Sequence, residues 1–154
     1  MRVSDIMTPN PACCTPDSTA REAATLMRDN DCGSVPVVAN REANRLVGTI
    51  TDRDLAIRGL AAGKGPETLV RELMSVAPIS SAPEDEVETM REVMVARQVR
   101  RVPVVNDKGT VVGIVAQADI ALEEGAASDE EVGRVLEAIS EPRNDLDPRL
   151  SQAD

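Results

Sequence analysis

Three cysteines, at positions 13, 14 and 32, are the strongest nucleophiles in this sequence, and there is no histidine to activate them. The lack of histidine removes the commonest general acid and base, the commonest metal ligand and the usual triad partner of Ser or Cys. No nucleophile is paired with a base at a recognisable spacing, so an enzyme is the weak reading and no catalytic residue is assigned. Thiol chemistry at Cys13 or Cys14 would require a depressed pKa. The odd count and the adjacent pair fit neither a zinc ribbon nor a disulfide framework, and no metal site is expected. Such thiols suit a reducing compartment, where they serve as small apolar side chains.

The other groups able to do chemistry are hydroxyls and charges. Thr51, Asp52, Arg53 and Asp54 are consecutive, Asp119 stands in a matching context further on, and Arg100 and Arg101 are adjacent. Helix capping is one reading of Thr51, Asp52 and Asp54. For the arginine pair, a solvated face is the alternative to an anion site. The wider charge balance limits the partners. With 17 Lys and Arg against 27 Asp and Glu, the formal net charge is −10. An acidic chain repels nucleic-acid backbones and anionic membranes unless its cations are focused, but converging Arg side chains can still hold a small anion. There is no Phe, Tyr or Trp for a base to stack on. Neither nucleic acid nor membrane is expected as a partner. The opening MRVSDIMTPN lacks a signal-peptide apolar run and no stretch reaches membrane-spanning length, so a cytoplasmic location is expected.

The elements that must position these groups occur twice. Val3-Ser4-Asp5-Ile6-Met7 reappears as Val70-Arg71-Glu72-Leu73-Met74, and Val35-Pro36-Val37-Val38 as Val102-Pro103-Val104-Val105. Leu46-Val47-Gly48-Thr49-Ile50 matches Val111-Val112-Gly113-Ile114-Val115, and Asp54-Leu55 matches Asp119-Ile120. The register slips by two residues only where the loop ANREANR faces the shorter NDKGT. This is a tandem duplication.

In the first copy Thr19-x-x-Glu22 predicts a capping box, followed by an apolar helix face of Ala20, Ala23, Ala24 and Met27. In the second, Asp85-x-x-Glu88 predicts a similar cap, with Val87, Met90 and Met94 on the face. The β-branched runs at 35–38 and 46–51 predict strands, and Pro36 and Pro103 mark a strand start or an edge. Helices are expected from Asp52 and Gln117. Gly63 and Gly65 mark a linker between Ala61 and Pro66. The expected domains are 1–61 and 70–123, joined by 62–69, with 124–154 as a C-terminal helix and tail. That helix would start at Ser128-x-x-Glu131 and carry Val132, Val135, Leu136 and Ile139, with a polar tail from Glu141. Each copy is too small to be robust alone, which favours a shared interface.

Across residues 3–122 the sequence resembles a tandem cystathionine-β-synthase (CBS) domain pair, or Bateman module. The most specific segments are GTITDRDL (48–55), QVRRVPVV (98–105) and GIVAQADI (113–120). The resemblance implies a mixed α/β (α+β) fold of two β-α-β-β-α repeats packed through their sheets. It also implies a stand-alone bacterial CBS-pair protein that senses an adenosyl compound (AMP, ADP or ATP, with S-adenosylmethionine and NAD as further candidates) and needs no obligatory cofactor.

In that family the pattern Gly-h-h-Thr/Ser-x-x-Asp, with h apolar, puts a hydroxyl near phosphate and a carboxylate on the ribose. Gly48, Thr51 and Asp54 match it in full. A carboxylate suits a vicinal diol, and helix-start N–H groups favour an anion. In the second copy Gly113 and Asp119 match, but Ala116 replaces the hydroxyl. Arg100 and Arg101 stand where phosphate-facing cations are placed, against Gly33 and Ser34 in the first copy. Arg53 and Arg58 are further phosphate candidates. Adenine contacts are implied at Cys14, Thr15, Val35 and Pro36 in the first copy and at Ser81 and Val102 in the second.

The resemblance implies a regulatory module, a homodimer, and a protein partner that it does not name. The alternative is a ligand-free dimerisation and interaction scaffold, which Ala116 and the uncharged Gly33-Ser34 favour.

Overall fold

The two β-branched runs of each repeat form a hairpin, and each hairpin recruits a short strand from the opposite repeat. The computed structural model describes residues 1–123 together with Glu137. The helix expected from Ser128 and the tail from Glu141 lie outside the described residues. The first repeat contains α1 (Val3–Ile6), β1 (Thr8–Pro9), α2 (Ala20–Asp29), β2 (Ser34–Val38) and β3 (Leu46–Thr51). It closes with α3 (Asp52–Asp54), which runs on as a π-helical turn over Leu55–Leu60. The second repeat contains a 3₁₀ turn (Val70–Glu72), β4 (Ser75–Val76), α4 (Val87–Arg97), β5 (Arg101–Val105), β6 (Val111–Ala116) and α5 (Gln117–Glu123).

The sheets run β2-β3-β4 and β1-β6-β5, all antiparallel. Strand β4 of the second repeat thus completes the first repeat's sheet, and β1 of the first completes the second's. Pro36 and Pro103 sit within β2 and β5, both edge strands, where a missing N–H costs no ladder bond. Their carbonyls accept from Cys14 N (3.1 Å) and Ser81 N (3.1 Å). The first strand of each repeat is otherwise reduced to single parallel bridges, Cys14 with Val37 and Ser81 with Val104.

Two glycines permit the exchange. A β-carbon on Gly48 would lie 2.7 Å from the Ser75 carbonyl oxygen, and one on Gly113 would run into the Met7 side chain. Close strand packing therefore explains both.

The cores are exchanged in the same way. Val70 and Leu73 are buried with Ala23, Met27, Val35, Val37 and Ile50 of the first repeat, and Val3 with Met90, Met94, Val102, Val104 and Ile120 of the second. Burying a Val or Leu side chain fully is worth about 1.5–3 kcal/mol, so each repeat draws core stability from the other's leading segment. The linker adds to the contact: Pro66 and Thr68 accept backbone bonds from Arg21 and Ala20 at the start of α2. The two unequal loops also meet, Leu46 N donating to Gly109 O (3.0 Å) and Val111 N to Asn44 O (2.9 Å).

The duplication extends to backbone conformation. Left-handed φ angles recur at matching positions, Asn10 with Ala77, Asp31 with Gln98, and Asn44 with Gly109. Two sequence expectations are corrected. Asp85 does not cap α4, whose N-cap is Glu86 without a side-chain bond; Asp85 matches Ser18, one residue before the Thr19 cap, and serves the preceding turn instead. Ala24 is exposed, because the buried face of α2 turns through Ala23 and Met27.

Candidate functional site

Strand β3 delivers Thr51 to the start of α3, where the chain turns from extended to helical and leaves N–H groups without intrahelical partners. Thr51 Oγ1 accepts from Asp54 N (3.0 Å), and Asp54 Oδ2 accepts from Thr51 N (2.9 Å). Capping is thus one role of the pair. The other Asp54 oxygen, Oδ1, faces Arg58 Nε at 3.9 Å. In the second repeat Asp119 Oδ2 accepts from Ala116 N (2.7 Å), with no hydroxyl to reciprocate. The carboxylates at 54 and 119 therefore hold the same local geometry, and only the first has the hydroxyl beside it.

The turns before α2 and α4 form a second matched set. Thr15 N donates to Ser18 Oγ (3.0 Å), and Thr15 Oγ1 lies 3.3 Å from the same oxygen. Opposite, Asp85 Oδ2 accepts from Ala82 N (2.8 Å) and from Ser81 Oγ (2.7 Å). The Ala82 N–H, then the Ser81 hydroxyl, hold the Asp85 carboxyl below the usual carboxylate range.

The arginines divide. Arg101 is half-buried and lines an open groove of about 430 Å³ with Met27, Arg28, Asp31, Cys32, Gly33 and Asp52. A cation of the second repeat thereby reaches the neighbourhood of the first repeat's α3. A β-carbon at Gly33 would lie 2.8 Å from Asp52 Oδ2, so glycine there makes room for that carboxylate. Arg100 and Arg53 are exposed. Arg58 does not point to this groove's lining; it donates to the carbonyls of Leu73 (3.2 Å) and Met74 (3.3 Å).

Val35, Pro36 and Val102 are buried, and the two valine side chains belong to the cores, so a ligand could meet them only through backbone. Cys14 is in the same position. Burial pushes the Cys13 thiol up to about 11 and that of Cys14 to about 12. Both are poor nucleophiles at neutral pH. Among the described residues no three His, Cys, Asp or Glu side chains are grouped to hold a metal ion, and no helix is long and apolar enough to cross a membrane.

Sequence reasoning missed the strand exchange and the contacts of Arg58. The repeated Val-x-x-Leu/Ile-Met segments were the available signal, since their apolar residues had to be buried somewhere.

A family model described as CBS domain matches the chain twice, over residues 3–59 and 70–124. The chain belongs to the CBS-domain family. Three solved structures place this CBS pair among its relatives. Hypoxic Response Protein I, crystallised with two coordinated zinc ions, is 38% identical with a TM-score of 0.72, over 79% of this chain and 98% of that one. The CBS domain pair of protein MJ0100, in complex with 5-methylthioadenosine and S-adenosyl-L-methionine, is 29% identical with a TM-score of 0.73. That match spans 83% of this chain and 98% of the other. The CBS domain protein PAE2072 of Pyrobaculum aerophilum, complexed with AMP, is 25% identical with a TM-score of 0.75, over 87% and 99% of the two chains.

Proposed function

We propose that this CBS pair is a regulatory module, not an enzyme, that binds an adenosyl compound between its repeats and signals by changing how they pack. The observation that carries the reading is the Thr51–Asp54 pair. It presents a carboxylate for a ribose diol beside a helix start suited to phosphate. The adenosyl ligands of MJ0100 and the AMP of the Pyrobaculum protein support the ligand class. The candidates are AMP, ADP, ATP and S-adenosylmethionine. Arg101 supplies a cation from the second repeat to the groove by α3, with Arg53 and Arg100 as exposed reserves. Thr15 and Ser81 flank the adenine side, where Val35, Pro36 and Val102 would contribute backbone.

The module would act as a homodimer with a protein partner, in the cytoplasm, where three unpaired thiols fit a reducing medium. Ile57 and Leu122 support the dimer: they hold matching positions in the two repeats and both are exposed.

Ala116 favours a second reading, a ligand-free interaction scaffold, because it removes the hydroxyl from one half-site. A thermal-shift panel of AMP, ADP, ATP, S-adenosylmethionine and NAD separates the two. At about 100 times its Kd a ligand should add about 2.7 kcal/mol of stability, a Tm rise of several degrees. An added dye or calorimetry must report it, since the chain has neither Trp nor Tyr. No shift with any compound supports the scaffold.

A further inference from the structure

We infer that Arg58 is the positioning residue that couples the ligand carboxylate of the first repeat to the strand it borrows from the second. This rests on the adenosyl-binding reading. Arg58 makes three contacts in two directions. Its guanidinium donates to the Leu73 and Met74 carbonyls, the last residues before β4, and its Nε faces Asp54 Oδ1 at 3.9 Å. Both side chains are largely shielded, Arg58 at 27% exposure and Asp54 at 15%, so the pair is less screened than a surface ion pair.

The separation matters as much as the contact. At 3.9 Å the guanidinium offsets the carboxylate's charge, but it lies beyond hydrogen-bonding distance and leaves the acceptor positions of Oδ1 to a ribose hydroxyl. Asp54 Oδ2 is already fixed by Thr51 N. A diol bound to Asp54 therefore alters the field at Arg58, and Arg58 holds the carbonyls that lead into β4.

Val70 and Leu73 fix the approach to β4 in the first core, but β4 itself is short. It has two residues, pairs only with Gly48 and Thr49, and leaves Val76 exposed. It is also continuous with the chain leading to Ser81 of the second repeat, so its position bears on both half-sites. The duplication supplies an internal control. The counterpart of Arg58 in the second repeat is Glu123, and the carbonyls of Ile6 and Met7, which match Leu73 and Met74, have no equivalent arginine. The coupling is built into one repeat only.

Amide hydrogen exchange on the full chain tests this, with AMP and S-adenosylmethionine as probes. Without ligand, Arg58→Met should speed exchange at Ser75 and Val76 by about tenfold and leave Thr8 unchanged, and Arg58→Lys should restore part of the protection. With a bound probe, wild type should slow exchange at Ser75 and Val76. Arg58→Met should still bind, about five- to tenfold more weakly, without that response. A probe that binds wild type but leaves Ser75 and Val76 unchanged overturns the coupling and leaves the adenosyl reading standing. If Arg58→Met fails to fold, Arg58→Lys carries the test: a ligand response equal to wild type overturns the role of the bidirectional guanidinium. Failure of both probes to bind wild type overturns the adenosyl reading, and the coupling with it.

Discussion

Asp54 divides its two oxygens: Oδ2 closes the turn into α3 and Oδ1 faces Arg58, and under the proposed reading Oδ1 would also meet a ligand. Removing the side chain would therefore confound binding with stability, since loss of a cap costs about 1 kcal/mol. Asp54→Asn keeps an acceptor for Thr51 N and removes the charge, which makes it the cleaner variant. Asp85 is a carboxylate with a single structural role. Its pKa is lowered in the folded state, so its stabilisation is complete above the unfolded value of about 3.9 and is lost as pH falls through the folded value. The Tm difference between wild type and Asp85→Asn should thus be largest near neutral pH and close in acid; a constant gap would contradict this. The thiols give another prediction at this scale. With burial holding Cys13 and Cys14 near 11 and 12, neutral-pH alkylation of both should be slow until the chain unfolds. Fast labelling of Cys14 in the folded protein would refute its core placement.

At the scale of elements, the duplicated hairpins and their helices were readable because both copies keep one register and the slip falls in a loop. The Thr19 box was legible for the same reason: Thr-x-x-Glu precedes an apolar face, and both reciprocal bonds form. Asp85 was misread by one position, because an Asp three residues before a Glu imitates a box when only the local pattern is considered. The exchange of β1 and β4 was not legible. Two-residue strands carry no alternation, and their partners lie far along the chain. Among the candidate site residues, the capping of Thr51 by Asp54 could be read directly, but the direction of Arg58 depends on where the borrowed segment lies. The exchange makes a test of its own. Gly48→Ala should cost about 1–3 kcal/mol, because its β-carbon meets a backbone oxygen that cannot move cheaply. Gly65→Ala, with open space around it, is the control and should leave the denaturation midpoint nearly unchanged. Equal effects would mean that β4 does not pack against Gly48 as described.

For the whole molecule, neither repeat is complete without the other, since Val3 is buried in the second core and Val70 and Leu73 in the first. A single cooperative unfolding transition follows from that reciprocity, and such a body can transmit a change in one repeat to the other. The exposed apolar pair Ile57 and Leu122 extends the symmetry outward. Sedimentation should report a dimer for wild type and a shift to monomer for Ile57→Glu, with the monomer still folded; a monomeric wild type would rule the dimer out.

On the proposed reading, Asp54 presents its carboxylate to the ribose of an adenosyl ligand. Titration calorimetry of AMP and S-adenosylmethionine into wild type and Asp54→Asn decides the point, with a melting curve to show that the variant is folded. Wild type should bind at least one compound saturably, and the folded variant should bind at least about tenfold more weakly, in line with about 1.5–3 kcal/mol for a hydrogen bond to a charged group. Equal affinity in both proteins, or no heat with either compound, would contradict it.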